Sequence, residues 1–464
     1  MLVGREVKDN KLWLSYFDRD GKVRIDKIPV PQSEMFEWVL SKDPTEWKTY
    51  NGAYIKKQPI GYRNTIRWKF RLEELTQRCT ESVRSKIFEY NIPKITYLDI
   101  EIYVNENNDF TDPSVAEFPI NVMSLVQDDF VVILTTFDKL GEEKQNQMQD
   151  EVNEYFKRFN SKFQLVFYYF NDEKSLLEFF AKRLLPKISC ISGWNVIEYD
   201  WQYITNRCYQ LGVQLLGSLE SQSTSGKFKL PMHTGIVDFM EAFDEIDPYH
   251  GIENLKLNTI AEKALGTTKL KNPYNTFGEY MKDTYLFIKY NIIDSCLLPY
   301  IEIETRVLES TFALCNEAEV ELSNVFKSVY VTEMQLCKKY YKRGIMLPVT
   351  PRGDIVKNKY KGAFVMEPRV GYFENVVCFD FNSMYPNIMI QFNISPETYL
   401  GYSKDIDVEN VGSYTKTAQE TCFATDVPSV TGEFLREKYD LRKSIQAEMR
   451  EKKKVLDELE NKVK

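Results

Sequence analysis

Short runs of alternating apolar and polar residues fill the first third of the chain, and this period of two is typical of half-buried β-strands. Residues 12–17 and 23–28 are two such runs, separated by a turn at 18–21. A third run begins at Ile95 and extends to Val104. Further strands are predicted at 120–126, 130–137, 163–170 and 188–192.

Helical periodicity, with apolar residues three or four positions apart, begins after residue 171. Asp172 is suited to cap a helix with Leu176 and Leu177 on one face. A second helix is predicted at about 199–211, and 216–235 is expected to be a loop or small hairpin. Several strands, then helix, strand and helix, is the order of a ribonuclease-H-like α/β domain. Longer helices are predicted at 284–308, 322–343 and 434–464, and another strand at 375–381.

The composition allows more than one core, because 43% of the 464 residues are hydrophobic and one core seldom exceeds about 250–300 residues. Lys and Arg number 60 and Asp and Glu 68, a net charge of −8. Nucleic-acid-binding proteins are usually basic, so the bulk charge argues against that class. Binding would have to come from local clusters that combine basic and aromatic residues, at 63–71, 338–343 and 357–361.

The number and spacing of the cysteines and histidines limit the kinds of metal site and catalytic group that the chain can contain. The eight cysteines include no Cys-x-x-Cys pair, which argues against zinc ribbons and disulfide frameworks and favours a reducing cytosol. No apolar run approaches the roughly 18 residues of a membrane span, and no signal-peptide pattern is present. We therefore expect a cytoplasmic protein without a membrane partner. The two histidines, His233 and His250, leave carboxylates and tyrosines to carry the chemistry.

Asp99 and Glu101 stand two residues apart on a predicted strand, so both carboxylates project from one face. Paired carboxylates suit hard divalent cations such as Mg²⁺ or Mn²⁺. Two such ions about 3.5–4 Å apart can bind the attacking and leaving oxygens of a phosphodiester. Taken alone, however, the pair fits a solvated strand edge better.

Two later segments carry further acids. Asp200 lies where a turn after the strand 188–192 enters a helix, although an acid there is also an ordinary N-terminal charge. Tyr290 and Asp294 are one turn apart on one helix face. A phenol there could orient a metal-bound water and help to deprotonate it. A buried tyrosine hydrogen-bonded to an aspartate is the structural alternative.

In their order along the chain, the three segments resemble the three exonuclease motifs of the DEDD superfamily in its tyrosine form. The histidine form would have His where this chain has Lys289. The resemblance implies a 3′→5′ exonuclease in which Tyr290 positions the attacking water and Asn195 contacts DNA. The implied ligands of two metal ions are Asp99, Glu101, Asp200 and Asp294.

A second motif occupies 379–388, Phe-Asp-Phe-Asn-Ser-Met-Tyr-Pro-Asn-Ile. Asp380 ends an apolar run, and a buried carboxylate there would need a cation or a partner. The motif closely resembles motif A of the family B DNA polymerases, and 393–398 is similar to its continuation in T-even-like bacteriophage polymerases. The segment 360–365 resembles the segment that links the exonuclease to the palm and touches template. A buried strand with one trapped aspartate is the structural alternative.

The family B resemblance implies half of a polymerase site. Asp380 and the Phe381 carbonyl would bind metal, and Tyr385 would lie under the sugar of the dNTP and select against ribose. Arg442 matches the start of the fingers, where an arginine contacts the triphosphate, although a solvated charged helix is equally compatible. The other implied contacts are Ser383 and Met384 for the nucleotide and Tyr360, Lys361 and Gly362 for DNA.

The other half of that site is missing from the sequence. The 464 residues contain neither the Lys-x3-Asn-Ser-x-Tyr-Gly segment of motif B nor the Asp-Thr-Asp of motif C. Two-metal phosphoryl transfer needs a second palm carboxylate and a cationic fingers side chain, so Asp380 alone is not expected to polymerise DNA. A natural split polymerase, a truncated chain and a decayed polymerase all fit. The position of the last residue, just before motif B, favours the first two.

These inferences predict a multidomain α/β protein. The resemblance to family B supplies its division into domains and is weakest over the first 90 residues. The predicted parts are a mixed N-terminal domain at 1–90 with 305–350 packing on it, a ribonuclease-H-like exonuclease domain at 91–304, a partial palm at 351–430, and a first fingers helix at 431–464.

The expected function is that of the N-terminal part of a replicative DNA polymerase with a proofreading exonuclease. Its expected partners are DNA, a C-terminal half carrying motifs B and C, a sliding clamp and other replisome proteins. Three alternatives remain open at this point. They are a non-catalytic DNA-binding subunit, a stand-alone exonuclease, and an RNA-directed nuclease on the same scaffold.

Overall fold

The computed structural model describes residues 1–8, 11–30, 36–49, 52–59, 75–103, 111–215, 219–223, 226–231, 233–346, 364–406 and 412–463. The chain forms two compact units. The first unit comprises Met1–Gln32 and Leu75–Met334, and the second comprises Ser33–Glu74 and Gln335–Lys464. The division into four domains stays a prediction. In the described part of the chain, no helix is both long enough and apolar enough to cross a membrane.

The secondary structure has the following bounds. The described strands are β1 Leu2–Lys8, β2 Lys11–Phe17, β3 Val23–Pro29, β4 Phe36–Leu40, β5 Trp47–Thr49, β6 Tyr54–Pro59, β7 Ile95–Ile102, β8 Ile120–Gln127, β9 Phe130–Thr135, β10 Gln164–Tyr169, β11 Cys190–Gly193, β12 Leu219–Ser223, β13 Gly226–Leu230, β14 Gly235–Asp238, β15 Ile345–Met346, β16 Tyr399–Tyr402, β17 Tyr414–Lys416 and β18 Thr421–Ala424. The main described helices are Glu81–Ile87, Glu142–Tyr155, Glu173–Phe179, Gln202–Gln210, Phe239–Ile246, Leu257–Leu265, Phe277–Lys282, Thr284–Thr305, Val307–Ala318, Ser328–Lys342, Met384–Gln391 and Val430–Val463.

The first unit is built on two sheets. Its described strands β1, β2 and β3 form an antiparallel sheet, and the larger sheet has the order β10-β9-β8-β7-β11-β14. In the larger sheet β8 runs antiparallel to β7 and β9, whereas β7, β11 and β14 are parallel to one another. Strands that are parallel and adjacent end at the same edge, so the ends of β11 and β14 lie side by side.

The larger sheet is covered by a hydrophobic core on each face. Tyr97 of β7 contributes to a core that includes the helices Leu257–Leu265 and Thr284–Thr305. Leu98 and Ile100 contribute to a second core that includes Glu173–Phe179 and Gln202–Gln210. This alternation follows from the period of two along a strand, and it assigns Asp99 and Glu101 to the face of Tyr97.

Much of the predicted secondary structure of the first unit is confirmed. The strands at 12–17, 23–28 and 120–126 match β2, β3 and β8 to within two residues. Asp172 caps the helix Glu173–Phe179 by accepting a hydrogen bond of 2.8 Å from the Ser175 N–H. Residues 216–235 include the hairpin β12–β13. The helix predicted at 322–343 is a short 3₁₀ turn, Leu322–Asn324, followed by Ser328–Lys342.

The second unit contains a sheet of order β15-β5-β6-β4 and a sheet of order β16-β18-β17 among its described residues. The long predicted tail helix is confirmed as Val430–Val463. Glu397 fixes its first turn, because one carboxylate oxygen accepts from the Val430 N–H at 2.7 Å while the other accepts from the Tyr340 hydroxyl at 2.5 Å. From residue 441 to residue 459 the side chains of this helix are exposed.

The strand predicted at 375–381 is wrong. The segment has no regular secondary structure and pairs with no strand among the described residues. Its apolar side chains are open to solvent, with Phe379 91% and Phe381 80% exposed. A strand requires a neighbour for its backbone N–H and C=O groups and a layer to cover its apolar face, and the described second unit supplies neither to this segment.

Candidate active site

The first two acids project from β7 as its alternation predicts. Asp99 and Glu101 are half-buried. Leu98, which precedes them, and Ile100, which lies between them, are buried on the opposite face. Asp99 Oδ2 accepts a hydrogen bond of 2.6 Å from Asn291 Nδ2. The sheet therefore fixes both carboxylates on the side covered by the helix Thr284–Thr305.

The third acid enters at the end of β11. This strand pairs with β7 from Cys190 to Ser192, the partner of Tyr97. At Gly193 a Cβ atom would stand 2.4 Å from the Leu98 carbonyl oxygen, so glycine permits the close approach. Beyond Ser192, β11 no longer pairs with β7. There the Asp200 Oδ1 accepts a hydrogen bond of 3.0 Å from the Ile100 N–H, which would otherwise face a neighbouring strand.

The fourth acid lies on the helix Thr284–Thr305. Asp294 is buried, and Tyr290 lies one turn earlier on the same helix. The helix is attached to β8 through Ser124, whose Oγ lies 2.5 Å from Ser295 Oγ. Tyr290 and Asp294 thus face the same region as the acids of β7.

Lys269 is a site residue that the sequence analysis missed. Its ammonium group forms an ion pair with Asp294 and donates to the Tyr290 hydroxyl at 3.1 Å. It also lies 5.2 Å from the centre of the Tyr290 ring. A lysine in the turn-rich stretch after the helix Leu257–Leu265 carries no sequence signal of this role, because only the folded chain brings it to the acids.

The electrostatics indicate that the acids form one group. Burial, with a further contribution from Asp294, raises the pKa of Asp99 to about 7. Burial and then the Asp99 carboxylate raise the pKa of Glu101 and of Asp200 well above their usual values. Burial alone would lower the pKa of Lys269, yet the neighbouring acids, Asp294 above all, raise it overall. When they are ionised, the four acids carry more negative charge than Lys269 can neutralise, so bound cations would stabilise the site.

The residues fit a divalent cation by their chemistry. The acids offer oxygen ligands, which Mg²⁺ and Mn²⁺ prefer, and buried Asp294 Oδ1 has no hydrogen-bond partner. As the side chains lie, no group of three or more His, Cys, Asp or Glu within the described ranges is close enough together to hold an ion. Lys269 instead supplies the positive charge at Asp294, so loading an ion would require side chains to rearrange.

The motif A residues have a different environment. Asp380 and Tyr385 are exposed, and Asp380 joins no potential metal-binding group in the described second unit. Ser383 adopts a left-handed φ of +51° immediately before the helix Met384–Gln391. Arg442 is exposed on the helix Val430–Val463. Their implied nucleotide contacts, with those of Phe381 and Met384, stay predictions.

The predicted DNA contacts are only partly described. Tyr360, Lys361 and Gly362 lie outside the described residues, as does the whole basic stretch 63–71. Asn195 lies in the turn that precedes Asp200 and has a left-handed φ of +64°. Its contact with DNA stays a prediction.

Comparisons with known proteins cover most of the chain. The family model described as DNA polymerase family B matches residues 321–462, and that described as DNA polymerase family B, exonuclease domain, matches 43–246. The DNA-directed DNA polymerase of Escherichia phage RB69 is 23% identical over 437 residues, which are 84% of this chain and 46% of that polymerase.

Two further relatives are also DNA polymerases. The DNA-directed DNA polymerase of Enterobacteria phage T4 is 23% identical over 447 residues, 86% of this chain and 47% of the phage protein. The DNA polymerase of Archaeoglobus fulgidus is 29% identical over 240 residues, 49% of this chain and 29% of its own length. The chain therefore spans about half the length of the phage relatives it matches.

Proposed function

The chain belongs to family B of the DNA polymerases, and on that premise we propose that its carboxylate site is a two-metal 3′→5′ DNA exonuclease that proofreads. The chain contains the exonuclease domain of the family and part of its polymerase domain. The observation that carries the proposal is the convergence of four acids from β7, the turn after β11 and one helix. Their mutual pKa elevation supports it.

In this mechanism Asp99, Glu101, Asp200 and Asp294 would hold two divalent cations. The bound ions would supply positive charge at the scissile phosphate and would make the attacking water more acidic. The pKa of Tyr290 is raised by burial and by the acids, so the phenol stays protonated and serves as a hydrogen-bond donor that orients the water.

We further assign a ribonuclease-H-like fold to the exonuclease region. Its support is the strand order β10-β9-β8-β7-β11-β14 of the larger sheet. In this sheet β8 runs antiparallel to both of its neighbours, β7 and β9, whereas β7, β11 and β14 are parallel to one another. Helices cover both faces of this sheet. In such a sheet the carboxyl end of β11, which pairs with β7, would lie beside the acids of β7.

DNA synthesis is proposed only for a form joined to a second part that carries motifs B and C. Asp380 would then gain a second palm carboxylate, and the exposed segment 375–381 would gain neighbouring strands. The exposure of Phe379 and Phe381 supports this, because such side chains are normally covered. Binding to a sliding clamp and other replisome proteins stays a prediction.

The exonuclease is tested with the purified chain and a single-stranded oligonucleotide labelled at its 5′ end. We expect shortening from the 3′ end that needs Mg²⁺ or Mn²⁺ and stops with EDTA. Asp99→Ala combined with Glu101→Ala should lower the rate at least about 1,000-fold, because both metal sites lose a ligand. Asp380→Ala is the matched control and should stay within twofold of wild type.

Undiminished digestion by the Asp99→Ala, Glu101→Ala protein would refute the proposal. Metal-independent binding of DNA without hydrolysis would favour the non-catalytic alternative. Faster digestion of RNA than of DNA would favour an RNA-directed nuclease. For synthesis, dNTP addition to a primer is expected only after a polypeptide with motifs B and C is added, and it should disappear with Asp380→Ala.

A further inference from the structure

Asp238 is a buried acid that none of the exonuclease motifs includes. It is the last residue of β14 and only 3% exposed. Its Oδ1 accepts hydrogen bonds from the Met240 and Glu241 N–H groups, at 2.9 and 3.2 Å, and so caps the helix Phe239–Ile246. Its Oδ2 accepts from the Ile197 N–H at 2.8 Å.

The bond to Ile197 exceeds what a helix cap requires. A capping side chain uses one oxygen for its own helix, as Oδ1 does here. The second oxygen instead ties the end of β14 to the turn that follows the neighbouring strand β11. Ser192 Oγ makes a parallel link of 2.9 Å to the Val237 carbonyl oxygen. The strand that leads into the turn and the turn itself are therefore each linked to β14, at Ser192 and at Ile197.

The same turn carries one of the metal-binding acids. Asn195 begins it with a left-handed φ of +64°, which is unfavourable for a residue other than glycine and needs support. The π-helical turn Ile197–Trp201 follows and contains Asp200, whose Oδ1 meets the Ile100 N–H of β7. A continuous path thus runs from Asp238 through Ile197 to Asp200 and then to the strand of Asp99 and Glu101.

We propose that Asp238 is a positioning residue for the exonuclease reaction, which fixes the turn at Ile197 and thereby the direction in which Asp200 enters the metal site. This inference rests on the proposed function. Asp238 makes no contact with the reacting atoms in this assignment and acts through Asp200. Residues that orient metal ligands in this way typically contribute 10–100-fold to metal affinity or activity.

Two substitutions separate the capping role from the positioning role. Asp238→Ser keeps one oxygen for Met240 and Glu241 and loses the oxygen that reaches Ile197. Asp172→Ser is the matched control, because Asp172 caps the helix Glu173–Phe179 with both of its carboxylate oxygens on Ser175 and lies on another element. Asp238→Asn, which keeps the shape of the side chain, is a second variant if the serine protein folds poorly.

The readout is binding of Mn²⁺ to the full chain without DNA, followed by electron paramagnetic resonance of the free ion. Asp238→Ser and Asp238→Asn should weaken the affinity about 10-fold, as loss of an orienting partner does. Asp172→Ser should leave it within twofold. In an Asp200→Asn background, Asp238→Ser should add less than twofold, because its effect passes through Asp200.

Wild-type affinity in folded Asp238→Ser and Asp238→Asn would overturn the positioning role. So would an equal loss with and without the Asp200 carboxylate. If the wild-type chain binds no Mn²⁺, the proposed exonuclease fails first and this inference fails with it. The wild-type measurement alone decides that case, so the two failures are distinguishable.

Discussion

The carboxylate site of the first unit and the motif A segment of the second unit carry related chemistry in opposite environments. Asp294 is 3% exposed and its neighbours raise one another's pKa. Phe379 and Phe381, which flank Asp380, are 91% and 80% exposed. Burial makes the first site electrostatically strained without cations, whereas the exposed second segment has no such requirement.

This difference shows that a sequence motif does not by itself form a metal site. The exonuclease acids come from distant segments, and the larger sheet supplies the backbone partners that hold each of them. The motif A segment has the sequence of a buried strand, but the described part of the second unit contains no strand beside it. A carboxylate becomes a metal ligand only where the fold places other ligands around it.

Removal of Lys269 should have the largest effect. Lys269→Met leaves Asp294 buried beside other acids without its cation, which typically costs about 3–5 kcal/mol. We expect this loss in urea unfolding at pH 8 with EDTA, and partial recovery when Mg²⁺ replaces EDTA. Lys289→Met is the control, because its 2.7 Å ion pair with Glu151 is more exposed and should contribute about 1 kcal/mol or less. Equal losses would mean that the acids do not form one charged group.

Loss of the Tyr290 hydroxyl should affect the rate more than the fold. Tyr290→Phe is expected to slow 3′→5′ hydrolysis about 10–100-fold with little change in Mn²⁺ affinity, because one hydrogen bond to the attacking water is removed. Single-turnover rates on labelled oligonucleotide measure this. Tyr300→Phe, on the same helix but stacked on Phe159, should be unchanged. A rate for Tyr290→Phe within twofold of wild type would remove the tyrosine from the mechanism.

Without metal, the protein should become less stable as the pH rises. The pKa of Asp99 is raised to about 7 in the folded chain, so the native state holds this proton more tightly than the unfolded state does. The stabilisation is complete below about pH 4, the usual pKa of an aspartate, and is lost as the pH passes through 7. Unfolding free energies in EDTA should fall by about 2 kcal/mol more for wild type than for Asp99→Asn between pH 5 and 7. Parallel pH profiles for the two proteins would contradict this.

Truncation in the motif A segment should have the smallest effect. Phe379→Ala should change the free energy of unfolding by less than about 0.5 kcal/mol, since an exposed side chain has few contacts to lose. Phe287→Ala, in the core of the first unit, should cost about 3–5 kcal/mol. A loss above about 2 kcal/mol for Phe379→Ala would show that the segment is covered in solution.

Local sequence pattern was sufficient for several elements of the first unit. The alternation along β7 predicted that Asp99 and Glu101 share a face, and the spacing of Tyr290 and Asp294 predicted one turn of helix. Asp172 was predicted as a cap on the same local grounds. Asp238 also had a signal, because it follows the apolar strand of Ile236 and Val237 and starts a helix, but nothing local indicated its bond to Ile197.

What the sequence determined by itself was the type of the elements that carry the four acids, because strand and helix periods are properties of neighbouring residues. Only the tertiary structure decided that Lys269 would reach Asp294 and that Asp200 would cap the open edge of β7. It also decided that 375–381 is not a strand. Each of these depends on which distant backbone and charged groups come together, and burial then sets how strongly they interact.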